Sequence, residues 1–553
     1  MNYISIFSSN SKSKIVFVLL IALTILGCNK KSKELPKSSI YTNQNYTDLS
    51  LDESAINSYF KTFPEGDSIK NEVNKFYKRR DYQFAWFNKK GMTVAVSNFY
   101  NQVQNYSADF DNKNFINKRL DSLIYYIKAE KENSILKENR EEEMEILLTT
   151  IFFKYSKKVY GGISKSPYEL DWFIPRKKKN YQVLLDSLVI SNKGEKILEP
   201  VNHYYIQLKA KLRDYREIAK NGGFPVIVTT NKLISISESD SCLLNVKQHL
   251  FLTGDLKVND KTIIYSNLLV KAVMNFQHRM GLDENGKLNT QTMVELNKPV
   301  EFRIKQMMIN LERLRWVPVE MENEFLLVNI PEFKLHIIEN GKVVWTTNVV
   351  VGKDAKQTSI FKGNISQIIL NPYWNIPNSI IKDEIVPNIK KNFNYLATNN
   401  MEVISGNQVI DPSTINWNKY EKNIPFEIRQ KPGLDNALGK MKFLFPNNFN
   451  IYLHDTPSKS LFNESKRDFS HGCIRVEKPK KLVLYFLRKD TNWNQKKVDS
   501  ILKTDEKFDI QVKPPVPVYI VYFTSWVDNS GQLNFRNDVY NLDDQLEKEI
   551  FGE

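Results

Sequence analysis

Apolar residues recur every three or four positions through most of residues 46–235, and that period predicts helices. Ile56, Tyr59 and Phe60 follow it, as do Ile69, Val73, Phe76 and Tyr77. Glu141 to Phe153 opens acidic and turns apolar, which suits a helix N-terminus. A compact helical unit is expected over 238–298. Val246 to Leu252 ends at Gly254. Leu268 to Met280 carries Ala272, Val273, Phe276 and Gln277. Asn289 to Thr292 offers caps for a third helix through Leu296. Arg303 to Trp316 is another helix. Strands are predicted next: Phe325 to Ile330, then Lys334 to Glu339, an Asn340-Gly341 turn and Val343 to Val351 as a hairpin. Asn371 to Pro377 begins an excursion, and 378–435 carries helical and polar segments before the sheet resumes with a strand bearing Tyr452 and His454. Helices follow from Pro479 to Leu502, then a strand at Val518 to Phe523 and a short closing segment over 532–546. The fold class expected is multi-domain α+β.

A length of 553 residues predicts three or four domains. The net charge of +15 favours anionic partners. It is spread along the chain, without a dense Lys/Arg block or an RNA-binding aromatic motif, so nucleic acid is not an expected partner. Three cysteines, Cys28, Cys242 and Cys473, make no disulfide framework. Cys242 opens an apolar helical stretch and reads as a small buried hydrophobe. Residues 1–28 read as an export signal: Lys12 and Lys14, then an apolar run from Ile15 to Ile25 too short for a comfortable membrane span. Ile25-Leu26-Gly27-Cys28 is similar to a bacterial lipoprotein cleavage box, which implies lipidation of Cys28 and a membrane anchor. Residues 29–45 read as a flexible tether.

The candidate chemistry is concentrated in Ser470-His471-Gly472-Cys473-Ile474-Arg475. A cysteine nucleophile needs a base to generate thiolate and donors for the oxyanion that follows attack. Fifteen residues separate His454 from Ser470, enough to end a strand, cross a loop and return beside it. Strand alternation puts Tyr452 and His454 on one face. His454 is the expected general base, or the imidazolium of a thiolate–imidazolium pair. The N–H groups of Gly472 and Cys473 are natural oxyanion donors, and Tyr452 offers a hydroxyl. His471 is expected to shape the pocket and Ser470 to fix the loop. Arg475 suits a substrate carboxylate or an internal ion pair. His249 and His278 are expected at the surface, and His336 at the surface or in packing. No ligand cluster has zinc spacing, and Asp283 to Gly286 lacks the ligand pattern of an EF-hand. Neither metal nor cofactor is expected.

His454 with Ser470 to Arg475 resembles the signature of the L,D-transpeptidases (YkuD-type catalytic domain). Other stretches resemble the large, multi-domain, YcbB-like branch: Arg80 to Phe87, Asn310 to Trp316, Gly352 with Thr358, Arg429 to Gly433 and Asn436 to Phe443. Ala272-Val273, Phe276-Gln277, Gly281-Leu282 and Asn285-Gly286 resemble a peptidoglycan-binding domain. The resemblance implies a helical scaffold (46–235), a peptidoglycan-binding domain (238–298), a mainly β catalytic domain (303–505) with a capping insertion at 378–435 that acts as a lid, and a C-terminal strand and closing segment (510–553).

It also implies a function. Cys473 would attack the diaminopimelate–D-Ala bond of a peptidoglycan tetrapeptide stem, D-Ala would leave, and a diaminopimelate amine of another stem would take the acyl group. The histidine of this family is oriented by an adjacent carbonyl, here that of Asp455. Carbapenems are implied as covalent inhibitors, and a periplasmic, membrane-anchored location in a Gram-negative-type bacterium as the setting. Two alternatives stay open: an L,D-carboxypeptidase using water, and a non-catalytic cell-wall-binding lipoprotein.

Overall fold

The computed structural model describes residues 47–129, 135–176, 179–191, 199–229, 234, 236–406, 408–420 and 424–552. The expected export signal, the tether and Cys28 lie outside them. Among the described residues, no helix is long and apolar enough to cross a membrane. Among the described residues two compact units emerge, one within 47–102, 117–154 and 181–191, the other within 103–116, 155–180 and 199–552. The expected 46–235 scaffold is therefore divided between them.

The first unit is helical where the period predicts it, with Glu53–Thr62, Asp67–Arg79, Lys118–Ala129 and Tyr181–Val189. Ile56, Val73, Phe76, Leu123 and Leu185 are buried in its core. At its centre Glu145 accepts the Ala85 and Trp86 N–H groups and, at 2.9 Å, the Tyr77 hydroxyl. Burial pushes this carboxyl up to about 7.

In the second unit the 238–298 segment forms three helices, Leu243–Leu252, Asn267–Met280 and Thr290–Leu296. Ser266 caps the second at its start, and Gly281, at φ 69°, ends it in the left-handed conformation. Buried Gln277 ties the following loop together: its amide donates to Lys287 O and Thr292 Oγ1 at 3.0 Å and accepts the Gly286 N–H at 2.8 Å. His249 is not a surface residue. It is buried and stacks on Phe224 at 4.0 Å, a partner its own helix does not reveal. Cys242 is buried and free. His278 Nδ1 lies 2.7 Å from Glu284, and His336 bonds Glu332 and Thr346 at 3.0 and 2.9 Å.

The region expected to be catalytic is a sheet closed on itself. Strands β1 (Glu324–Asn329), β2 (Lys334–Glu339) and β3 (Lys342–Gly352) form an antiparallel meander. Asn340 and Gly341, both at positive φ, make the tight turn between β2 and β3. The rest are β4 (Ile360–Leu370), β5 (Met441–Leu444), β6 (Leu453–His454), β7 (Asp468–Ser470), β8 (Ile474–Val476) and β9 (Phe508–Val521). Pairing runs β5-β6-β8-β3-β2-β1-β9-β4, and β4 pairs back onto β5. Closure leaves this ring without a free edge. β6 and β8 are parallel, so the chain between them must cross over, and β7 rides that crossover alongside β3.

The insertion is more than helical and polar. Its helices Asn378–Ile380, Val386–Lys391 and Tyr395–Thr398 pack on a four-stranded sheet ordered Gln408–Ile410, Met401–Ser405, Glu427–Gln430, Trp374–Asn375. Ile376, Ile381, Ile385, Val403, Trp417 and Ile428 give it a core of its own. A π-helical turn, Ile381–Ile385, aims Glu384 outward.

Candidate active site

The parallel pairing of β6 and β8 sets Leu453 beside Ile474 and His454 beside Arg475. On the other side, β5 sets Lys442 beside His454. One row across the sheet thus reads Lys442, His454, Arg475, an imidazole between two cations. Tyr452 lies two residues before His454 on the same face, with ring centroids 5.6 Å apart. Lys442 Nζ sits 3.9 Å from the Tyr452 ring centroid.

His454 is buried, and its Nδ1 is 2.5 Å from the Asp455 carbonyl oxygen. That bond assigns the proton to Nδ1 and leaves Nε2 as an acceptor. Burial, then Arg475, Lys442 and Lys459, hold the imidazole pKa down to about 3 against the pull of the Asp455 carbonyl. The Asp455 carboxylate works on the turn instead: it accepts the Lys440 N–H at 3.0 Å and pairs with Lys459. A Cβ on Gly439 would stand 2.5 Å from that carboxylate, so glycine, at φ 59°, is needed there.

Cys473 stands in the loop between β7 and β8. Its thiol is 3.7 Å from the Asn450 carbonyl and hydrogen-bonds both the backbone and the hydroxyl of Tyr452. Burial pushes the thiol pKa up, against the opposing effects of Tyr452, Lys442 and Arg475. An imidazole that resists a proton and a thiol that resists losing one favour the neutral pair. The thiolate–imidazolium arrangement is disfavoured.

The loop around Cys473 is held by a chain of hydrogen bonds. Ser470 Oγ donates to Cys473 O at 2.6 Å and accepts the Gly472 N–H at 3.1 Å. The Gly472 N–H, expected as an oxyanion donor, is therefore engaged inside the loop. The Cys473 N–H takes no protein acceptor among the described residues and remains available. Gly472 adopts φ 111°, a conformation L side chains rarely take. Its carbonyl accepts Thr358 Oγ1 at 2.8 Å, and Thr358 Oγ1 in turn accepts the Gly352 N–H at 2.9 Å. Tyr540 closes the brace, donating its hydroxyl to Gly352 O at 2.6 Å and accepting the Thr358 N–H at 3.3 Å.

Arg475 makes no ion pair among the described residues, and its buried Nε has no hydrogen-bond partner. An uncompensated guanidinium beside the thiol suits an incoming carboxylate better than an internal pair. His471 Nε2 is 2.9 Å from Glu384 Oε1 of the insertion. Lys442, Tyr540 and Glu384 escape the sequence reading. Lys442 reads as an ordinary lysine, because alternation puts it on the face opposite buried Met441 and Phe443. Glu384 and Tyr540 left none, because their partners are distant in the chain.

Residues 323–498 match the family model described as the L,D-transpeptidase catalytic domain, and 71–212 match one described as a scaffold domain. A curated protein of Haemophilus influenzae whose name places it among the L,D-transpeptidases is 32% identical over 243 residues, 44% of this chain. The chain spans about half the length of that relative, 49%. Among solved structures, an L,D-transpeptidase from Stackebrandtia nassauensis is 12% identical, with 53% of this chain and 97% of that chain covered at a TM-score of 0.22. L,D-transpeptidase 1 of Mycobacterium tuberculosis is 13% identical, covering 36% of this chain and 61% of its own at 0.15. Both overlaps are slight. By its matched segments and its relative, the chain contains a region similar to the L,D-transpeptidase (YkuD) catalytic domain and another similar to a scaffold domain.

Proposed function

We propose that the protein is a peptidoglycan L,D-transpeptidase that works through Cys473. The observation that carries this reading is the His454 Nδ1 bond to the Asp455 carbonyl, which leaves Nε2 unprotonated and ready to accept the thiol proton. The donor is a tetrapeptide stem ending in meso-diaminopimelate and D-Ala. Its free carboxylate pairs with Arg475. As the Cys473 sulfur bonds the carbonyl carbon of the diaminopimelate L-centre, the thiol proton passes to His454. The Cys473 N–H holds the oxyanion, with the Tyr452 hydroxyl as a second donor. The intermediate collapses, the carbon–nitrogen bond breaks, and the imidazolium returns the proton to the departing D-Ala amine. A diaminopimelate amine of a second stem attacks the thioester, gives its proton to His454, and leaves as a crosslinked product with the thiol restored. The insertion acts as a lid that keeps water from the thioester, with Glu384 contacting His471.

Carbapenems are expected to acylate the same sulfur. Export and lipidation at Cys28 would hold the enzyme at the periplasmic face of a membrane, where stem peptides are found. Mass spectrometry of products from purified disaccharide-tetrapeptide tests the reading, beside Cys473→Ala and His454→Ala. Released D-Ala and a crosslinked dimer with the wild type alone support it. Tripeptide monomer without dimer would make water the acceptor and the enzyme an L,D-carboxypeptidase. No product and no carbapenem adduct would leave a wall-binding lipoprotein.

A further inference from the structure

A cavity of about 630 Å³ opens where four distant stretches meet. Met280 to Glu284 leave the second helix of the 238–298 segment, Pro331 to Lys334 turn from β1 into β2, Ser465 to Arg467 lead into β7, and Arg536 to Val539 follow a short strand at Leu533–Phe535. None of the residues assigned to the thiol chemistry lines it.

Two arginines dominate its polar wall, and neither makes an ion pair among the described residues. Arg536 Nη1 donates to the Arg279 and Phe535 carbonyls at 2.9 and 2.7 Å, and its guanidinium lies over Trp526. It crosses the backbone at Gly281, where a Cβ would come within 2.6 Å of it. Arg467 donates to the Glu464 and Phe333 carbonyls at 2.5 and 3.4 Å and lies over the Phe333 ring; its Nε is buried without a partner. The nearby carboxylates face other groups: Glu332 bonds His336 at 3.0 Å and Glu284 bonds His278 at 2.7 Å. Two planar cations are thus fixed by carbonyls and rings without a direct ion pair, their charge offset only at a distance by Glu332, Glu284 and Glu477, an arrangement with room for a carboxylate. Phe333, Pro331 and Leu282 add apolar wall, and Asp283 is an exposed carboxylate at the rim. Lone inorganic anions would leave most of this volume empty.

We infer that this cavity binds a short peptide bearing free carboxylates, held by Arg467 and Arg536, at a site separate from Cys473. Resting on the transpeptidase reading, the inference makes that peptide a peptidoglycan stem, retained while the thiol acts on another.

Calorimetric titration of the full chain as Cys473→Ala, which cannot turn over, tests it. The probe is the stem tripeptide L-Ala-γ-D-Glu-meso-diaminopimelate, beside its fully amidated form and inorganic phosphate. Binding is expected to persist when Arg475→Gln is added, which disables carboxylate capture beside the thiol. Arg467→Gln, folded by circular dichroism, should weaken it at least tenfold, as should amidation of the probe. Arg536→Gln should do the same, but Arg467→Gln decides if that variant does not fold. Unchanged affinity in Arg467→Gln, loss of all binding with Arg475→Gln, equal binding of the amidated probe, or displacement by phosphate at equal concentration would each overturn the inference. Because no turnover is involved, D-Ala release by the wild type judges the transpeptidase reading separately.

Discussion

Glu384 Oε1 of the insertion stands 2.9 Å from Nε2 of His471, two residues before the cysteine. A second contact runs alongside, Asp383 to Lys356 at 4.0 Å. Burial first, then Lys356 and Lys353, hold the His471 pKa below its usual value despite Glu384, so the ring is a neutral donor near pH 7. A half-exposed bond of this kind contributes roughly 0.2–1 kcal/mol. Glu384→Ala should therefore raise the apparent KM for tetrapeptide about 2- to 5-fold and speed hydrogen exchange in residues 374–430. Exchange equal to wild type would show that the contact does not hold the insertion down.

The row Lys442, His454, Arg475 predicts an unusual pH profile. His454 stays unprotonated until pH falls toward about 3, so carbapenem acylation should show no acidic limb near the ordinary histidine pKa. Arg475→Gln removes one flanking cation and should move that limb upward, while weakening capture of carboxylate substrates. Acylation rates from pH 3 to 8 check both. An acidic limb near 6.5 in the wild type would contradict the neutral-imidazole resting state.

How far the site can be read from the chain depends on how local its determinants are. Cys473, His454 and the turn at Asn340-Gly341 announce themselves through neighbours in sequence. So do the helix ends at Ser266 and Gly281, each fixed by a cap or a positive φ. The Gly472 N–H is harder, because its acceptor is a side chain two residues back whose rotamer depends on Cys473 O. His249 looks like one polar position on an amphipathic helix, yet Phe224 covers it from another segment. The strands of the insertion are short, and their partner, Trp374–Asn375, lies before the expected start of the insertion at 378. Closure of the sheet depends on β4 pairing at both edges, which alternation alone does not reveal.

Two buried groups make stability depend on pH in opposite senses. Glu145 has its pKa raised to about 7 by burial, so its stabilising contribution is full below its ordinary 4.5 and is lost as pH rises through 7. His454 has its pKa lowered to about 3, so its contribution is present above the ordinary 6.5 and is lost as pH falls toward 3. Either group changes stability by at most about 1.4 kcal/mol per pH unit within its window. Urea unfolding across pH 3 to 8 should flatten between 4.5 and 7 in Glu145→Gln and between 3 and 6.5 in His454→Gln. Parallel curves in variant and wild type would remove these groups as the cause.

The brace on the cysteine loop predicts a loss of rate without loss of binding. Thr358→Val removes one donor to the Gly472 carbonyl and one acceptor for the Gly352 N–H, and Tyr540→Phe removes the bond to Gly352 O. An unmade bond of this kind costs about 1–3 kcal/mol. Turnover should fall roughly 5- to 100-fold with KM nearly constant, measured as D-Ala release. A rise in KM with turnover unchanged would mean that the brace shapes substrate binding instead.

Tyr540 follows Thr358 by 182 residues in the chain, so the loop carrying the thiol cannot be braced until synthesis has passed it. A polypeptide emerging from a ribosome carries its cysteine loop in an unfinished setting. The cysteine loop therefore reaches its braced form only late in folding, once the C-terminal segment that carries Tyr540 is in place.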